Sequence, residues 1–341
     1  MARHTNVALF VPHAGCPHRC SFCDQRAISG QSEPLEPSAV AEACRTAVKT
    51  MPTGAAQAEI AFFGGSFTAI DRSYMRRLLE AAAPFVADGS FGGIRVSTRP
   101  DAVDEPVLAL LRSYGVTAVE LGAQSMDDAV LRLNRRGHTA ADTRRAAGLI
   151  RQAGFSLGLQ MMTGLPGDTD EGAYRTAREL AALHPDTVRI YPTVVMRDTP
   201  LERWYREGRY TPSALEDAVE LCARLLYFFE AERHIPVIRL GLHAGEEMQQ
   251  GRVAGPWHPA FRELCEGRLY RRAALPLLAK LPQGEPVTFL VHPAAISKAV
   301  GHKRENIRLW EQQGYHVRIR GKDGVLPWQI EMEEQTKDVN R

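Results

Sequence analysis

Six short apolar, β-prone runs, at residues 7–11, 59–63, 94–98, 118–121, 157–161 and 187–191, alternate along the chain with six amphipathic stretches of helical periodicity, at 39–50, 73–83, 105–113, 141–152, 172–183 and 215–232. Strands that alternate with crossover helices build a parallel sheet. Right-handed crossovers curl six such units into a partial (βα)6 barrel of the α/β class. In the full eight-unit barrel the catalytic groups sit at the C-terminal ends of the strands, and the same ends are where chemistry is expected here.

The loop directly after the first strand reads Gly15-Cys16-Pro17-His18-Arg19-Cys20-Ser21-Phe22-Cys23, a C-x3-C-x2-C spacing. A 4Fe-4S cluster is normally held by four thiolates, so a compact loop offering Cys16, Cys20 and Cys23 leaves one iron open to a small molecule. The same cysteines also fit a structural zinc site with His13 or His18 as fourth ligand, although no second ligand pair follows, or a redox disulfide. Cys44, Cys222 and Cys265 lie singly and far apart, as buried small apolar residues do.

The other strand ends carry unusual residues too. Gly64-Gly65-Ser66 follows the second strand, where missing side chains let the backbone approach a ligand or simply make a turn. Arg99 follows the third, Glu120 and Gln124 lie in and beside the fourth, Gln160 ends the fifth ahead of Gly164-Leu165-Pro166-Gly167, and Tyr191 ends the sixth. Glu120 and Gln124 need partners if buried: a bound nucleoside is one source, and an ion pair between Glu120 and Arg99 is another. Gln160 and Tyr191 are candidates to line a cavity. The loop Asn134 to His138 is either a solvated surface loop or faces the substrate, with His138 offering a hydrogen bond or a proton.

The cysteine loop, with Phe22 as its aromatic residue, resembles the radical S-adenosylmethionine (SAM) enzymes. The resemblance implies a 4Fe-4S cluster on Cys16, Cys20 and Cys23 whose open iron chelates SAM. It also implies reductive cleavage to a 5′-deoxyadenosyl radical, fed by an electron donor such as flavodoxin or ferredoxin. It assigns the Gly64-Gly65 run to the SAM amino group, with Ser66 where an acidic residue is common. Phe22, Arg99, Glu120, Gln124, Gln160 and Tyr191 are then expected around SAM, with His138 and Tyr191 as catalytic candidates. Ser97-Thr98-Arg99-Pro100-Asp101, Glu120 to Ser125, Asn134 to Thr139, Ile190 to Thr193 and Thr199-Pro200-Leu201 resemble more narrowly the catalytic subunit of Elongator, which modifies the wobble uridine of tRNA. That likeness spans about residues 6–235. Two departures qualify it: Elongator's first two cluster cysteines are further apart, and its acetyltransferase domain has no counterpart expected in the roughly hundred residues after the barrel.

From about residue 236 the pattern changes to Gly-, Pro- and His-rich loops holding His243 and His258, an amphipathic stretch at 260–281, strands at 287–291 and 315–320, and a helix at 294–313. Residues 1–235 are therefore expected to form the barrel, 236–330 a small α+β domain, and 331–341 a disordered tail. Between Pro286 and Gly324 seven basic residues, Lys298, Lys303, Arg304, Arg308, Arg318, Arg320 and Lys322, stand against three acidic ones, giving +4 in a chain of net charge +2. That segment is either a solvated face or a phosphate-binding surface for tRNA. No signal-peptide pattern or membrane-length apolar run occurs, so a reducing cytoplasm is expected. Two further function classes stay open: an oxygen-independent coproporphyrinogen oxidase-like enzyme, and an RNA-binding protein whose metal loop is structural.

Overall fold

The computed structural model describes residues 5–11, 16, 20–23, 33–51, 55–242 and 245–333; His13, His18 and His243 lie outside them. A parallel sheet curled into a half-barrel is built in the order β1 (Asn6–Val11), β2 (Glu59–Gly64), β3 (Gly93–Thr98), β4 (Val116–Gln124), β5 (Ser156–Thr163) and β6 (Thr187–Pro192), and gains a seventh strand beside β6. After the short strand β7 (Val195–Met196), that seventh strand is β8 (Val237–Leu240), registered as Val188↔Val237 and Ile190↔Leu240. Four residues behind a proline and interrupted by Arg239 carry too little periodicity to be read as a strand, and pairing with β6 decides the matter. β7 pairs with β9 (Arg252–Ala254) in a separate antiparallel ribbon.

Central strands of such a sheet are covered on both faces, and Val96, Val119, Leu121, Leu157, Leu159 and Met161 are accordingly buried. The crossover helices start where the sequence supplies caps. Asp71, Asp104, Thr139 and Thr169 each accept a hydrogen bond from a backbone N–H of the first turn of the helices Arg72–Ala87, Glu105–Ser113, Ala140–Gln152 and Asp170–Ala182. Each cap stabilises its helix by about 1 kcal/mol. Cys44 is fully buried, as expected of a small apolar residue, and so are Cys222 and Cys265.

Two units divide the chain elsewhere than at residue 235: Met1–Ala214 with Ile235–Trp257, and Leu215–His234 with His258–Arg341. The barrel reclaims the later segment because β8 and β9 pair with its strands. In the second unit the helix Leu215–Tyr227, which runs into a wider π-type turn at Phe228–Glu232, lies along Phe261–Leu278. Arg268 of the latter reaches both Glu216 and Glu220. Phe289, Trp310, Val287 and Ile307 form this unit's own core. Its sheet pairs β10 (Pro286–Val291) in parallel with β11 (His316–Gly321) and antiparallel with β12 (Glu331–Met332). Glu331 and Met332 therefore belong to a strand and not to the expected tail; residues 334–341 lie outside the described residues.

The helix expected over 294–313 is broken into Ile296–Val300 and Glu305–Gln312. Asn306, fully buried, donates from Nδ2 to the carbonyls of Ala299 and Gly267 and accepts from Arg271. A continuous helix would deny those partners to its side chain, so the chain turns at Gly301, Lys303 and Arg304, all with positive φ.

Candidate active site

The C-terminal ends of β1 to β6 open on a cavity of about 230 Å³ in the barrel unit. Cys16, Cys23 and Phe22 line it from the loop after β1, Gly64, Gly65 and Ser66 from β2, Arg99 from β3, Glu120 and Gln124 from β4, Gln160 from β5, and Tyr191 from β6. Gly64 is at φ +105°, and a Cβ there would lie 3.0 Å from the Val11 carbonyl oxygen. That carbonyl also accepts from the Gly65 N–H at 2.8 Å, so the Gly-Gly turn is held against the strand that leads to the cysteines. Ser66 Oγ is 3.8 Å from Cys16 Sγ. Gln124, with φ +67° at the bulge that ends β4, accepts from Gln160 Nε2 at 3.2 Å.

Glu120 does not pair with Arg99. Its carboxylate meets Arg95 Nη1 at 3.2 Å, Ser97 Oγ at 3.2 Å and Arg189 Nε at 2.9 Å, while Arg95 also binds Glu59 at 2.6 Å. Glu59, Arg95, Glu120 and Arg189 thus form an ion chain across β2, β3, β4 and β6. It passes over β5 at Gly158, where a Cβ would stand 2.6 Å from Glu120 Cγ. Burial opposes the charge on Arg189, yet Glu120 and Tyr191 outweigh it and raise the guanidinium pKa. The same guanidinium carbon lies 4.9 Å from the Phe63 ring centroid, a favourable cation–π distance. Arg99 lies past the end of β3 and turns to Asp101, making two hydrogen bonds of 2.9 and 2.7 Å. Burial of Asp101 raises its pKa, but those bonds and the Arg99 charge hold the carboxyl below its usual range.

The loop Asn134 to His138, expected either to be solvated or to face the substrate, reaches the cysteine loop. Asn134, fully buried, accepts from Ser21 Oγ at 2.6 Å and donates to the Val130 and Pro166 carbonyls. The Ser21 N–H donates to the Asn134 carbonyl at 3.1 Å, and the Ser21 carbonyl accepts from Leu201. Arg136 donates from Nη1 to Cys20 Sγ at 3.1 Å and from Nη2 to the Gly122 carbonyl at 2.7 Å. His138 is buried, with Nε2 at 3.2 Å from the Ala123 carbonyl, and is not part of the cavity wall. Of the two catalytic candidates only Tyr191 borders the cavity. Burial, helped by the Arg136 charge, lowers the His138 pKa to about 4.

Among the described residues no three His, Cys, Asp or Glu side chains stand together as a metal site, and residues 17–19 between the first two cysteines are not described. The donors nonetheless suit a thiolate-held cluster: Cys16 and Cys23 border one cavity, and the third cysteine receives a guanidinium hydrogen bond. The model of the Radical SAM superfamily matches residues 10–180, half of the chain. The chain belongs to the radical SAM superfamily. A Radical_SAM C-terminal domain model matches residues 185–271.

Among curated relatives of this radical SAM chain, the tRNA uridine(34) acetyltransferase of Dehalococcoides mccartyi is 30% identical over 241 residues, covering 61% of this chain and 52% of the relative. Human Elongator complex protein 3 is 30% identical over 206 residues, covering 52% and 38%. The chain thus spans about half, or less, of the length of these relatives. The solved archaeal Elp3 of Methanocaldococcus infernus, lacking its N-terminus, superposes with a TM-score of 0.63 at 21% identity, over 80% of this chain and 64% of that one, a likeness of fold.

The sequence reading missed Arg136, Arg95 and Arg189. Arg95 and Arg189 are basic residues inside apolar strands, the same signal that singled out Glu120. In the second unit, Lys298 pairs with Glu266, Arg320 with Glu333 and Lys322 with Glu331. Lys303, Arg304, Arg308 and Arg318 are exposed and have no ion pair among the described residues.

Proposed function

We propose that this radical SAM enzyme holds a 4Fe-4S cluster on Cys16, Cys20 and Cys23, cleaves SAM reductively to a 5′-deoxyadenosyl radical, and acts on RNA, with tRNA as the substrate class. One observation carries the first part: two of the three cysteines, the Gly64-Gly65 turn and the polar ends of β3 to β6 border the same cavity. The bound cluster supplies one electron to the sulfonium; the chain supplies position and shielding. Ser21, Asn134 and Arg136 fix the cysteine loop, and Gly64 and Gly65 offer backbone where a side chain would exclude SAM. Phe22, Phe63 and Met162 give the cavity apolar walls that keep water from a radical. The ion chain through Glu120 fixes Arg189, which hydrogen-bonds Tyr191, and both line the cavity.

Support for RNA comes from the names of the relatives and from Lys303, Arg304, Arg308 and Arg318, cations without an ion pair among the described residues and the part of the expected basic surface left after Lys298, Arg320 and Lys322 find carboxylates. No described helix is long and apolar enough to cross a membrane. A reducing cytoplasm, with a flavodoxin- or ferredoxin-type donor, suits an oxygen-sensitive cluster.

The test is anaerobic reconstitution with measurement of iron, sulfide, the visible spectrum and 5′-deoxyadenosine release under dithionite, with and without tRNA. Near four irons per chain and deoxyadenosine release are expected, both lost in Cys20→Ala while tRNA affinity persists. A colourless protein holding one zinc would overturn the cluster reading, and affinity for tRNA no greater than for a polyanion control would overturn the substrate class.

A further inference from the structure

Among the described residues, four arginines of the barrel unit are buried: Arg95, Arg99, Arg136 and Arg189. Three of them have carboxylates, Arg95 with Glu59 and Glu120, Arg99 with Asp101, and Arg189 with Glu120. Arg136 has none among the described residues; its partners are the Cys20 sulfur and the Gly122 carbonyl, and its Nε is buried without a partner. A guanidinium does not deprotonate in proteins, and a buried charge without a counter-ion costs several kcal/mol. Among the described residues, the group beside this fixed positive charge that can carry a counter-charge is therefore the sulfur of Cys20.

We propose that Arg136 raises the reduction potential of the cluster through Cys20, easing its reduction by a weak donor. This rests on the reading that Cys16, Cys20 and Cys23 hold that cluster. Reduction moves one electron from the donor to the cluster, with no bond made and no proton moved, and leaves the thiolate-held centre one unit more negative. A cation and an N–H directed at a ligand sulfur favour the more negative state, and hydrogen bonds to sulfur, net charge and burial are the terms that set such potentials. The placement is held by two contacts of the loop: Arg136 Nη2 donates to the Gly122 carbonyl at 2.7 Å, and the Ser21–Asn134 bonds tie the arginine's loop to the cysteine loop.

Wild-type protein, Arg136→Gln and Arg136→Lys are reconstituted anaerobically, checked for iron content and thermal melting, and titrated with dithionite and mediators while the reduced cluster is followed by electron paramagnetic resonance. At the wild-type midpoint the ratio of reduced to oxidised cluster is expected to fall about tenfold in Arg136→Gln, a shift of about 59 mV for a one-electron couple. Arg136→Lys, which keeps the charge but loses the fork, should fall between. A glutamine variant with full iron and the wild-type midpoint overturns the proposal. If only the lysine variant retains iron, its midpoint decides in the same way. Loss of iron from both overturns it too, because Arg136 would then build the site and not tune it. Wild-type iron is read first: its absence sinks the cluster reading itself and leaves the role of Arg136 as a separate failure.

Discussion

Replacing Gly158 by alanine adds one methyl group to the middle of β5, at a position whose φ is outside the left-handed region, so the backbone accepts the new residue. The space does not. The added Cβ would be 2.6 Å from Glu120 Cγ and 3.3 Å from Thr187 Oγ1, and the Glu120 side chain is 4% exposed, with its carboxylate fixed by Arg95, Ser97 and Arg189. Either the carboxylate swings off Arg189 or β5 shifts. Overpacking a core costs about 1–3 kcal/mol, and stripping the partner from a buried ion costs roughly 3–5 kcal/mol. Arg95 and Ser97 can keep part of their hold on Glu120, so we expect about 3 kcal/mol. At roughly 2–4 °C per kcal/mol for a unit of this size, the melting temperature should fall by roughly 6–12 °C. The assay is anaerobic thermal melting of Gly158→Ala, Glu120→Ala and the double variant. With the Glu120 side chain gone the methyl has room, and its added cost should drop below about 1 kcal/mol, which appears as coupling in the cycle. Equal cost with and without Glu120, or a single-variant cost under about 1 kcal/mol, would refute the passage of Glu120 over Gly158.

His138 binds its proton less readily when folded, with a pKa of about 4 against an ordinary 6.5, so the unfolded chain takes up the proton first as pH falls through 6.5 and stability drops toward pH 4. His138→Gln should flatten that limb by up to roughly 3 kcal/mol between pH 7 and 4; urea midpoints that run parallel in the two proteins would count against it. Asn134→Ala abandons Ser21 Oγ and the buried Val130 and Pro166 carbonyls, a cost of about 3 kcal/mol. Its reconstituted form should lose iron to a chelator faster than wild type, and equal rates would remove Asn134 from the support of the cysteine loop. Reversing Lys303, Arg304 or Arg308 to Glu should weaken tRNA binding and lower the salt slope by about one for each phosphate no longer neutralised, whereas Arg320→Ala and Lys322→Ala, already paired to Glu333 and Glu331, should change it little. The same weakening from both sets would show that the patch acts as diffuse charge.

The half-barrel was legible because each of its first six strands is an apolar run bounded by turn residues, and each following helix repeats its buried positions at helical spacing. What escaped was set by tertiary pairing. β8 is four residues long and becomes a strand only because β6 has a free edge for it. The helix expected across 294–313 has helical periodicity throughout, and its break comes from one buried amide, Asn306, which must reach Gly267 on another helix. Glu120 was recognised as a buried carboxylate in need of a partner, but a choice among arginines is made by where each guanidinium can reach. Arg99 is beyond the strand end beside Asp101, while Arg189, two strands away, is within reach across a glycine.

The loop from Asn134 to His138 shows the physical limit of such reading most clearly. A run of polar residues without apolar spacing looks the same whether water or protein satisfies it. Here the satisfying groups include Ser21 and Cys20, more than a hundred residues earlier in the chain. Asn134, Arg136 and His138 are buried while Arg135 and Gly137 are exposed, so alternate residues of the run point inward, and the hydrogen bond of Arg136 to Cys20 shows which interior they serve. Substitutions at Asn134 and Arg136 therefore act first on the seat of the cysteines. A loss of activity in such a variant says nothing about substrate recognition until its iron content and cluster potential are shown to match the wild type.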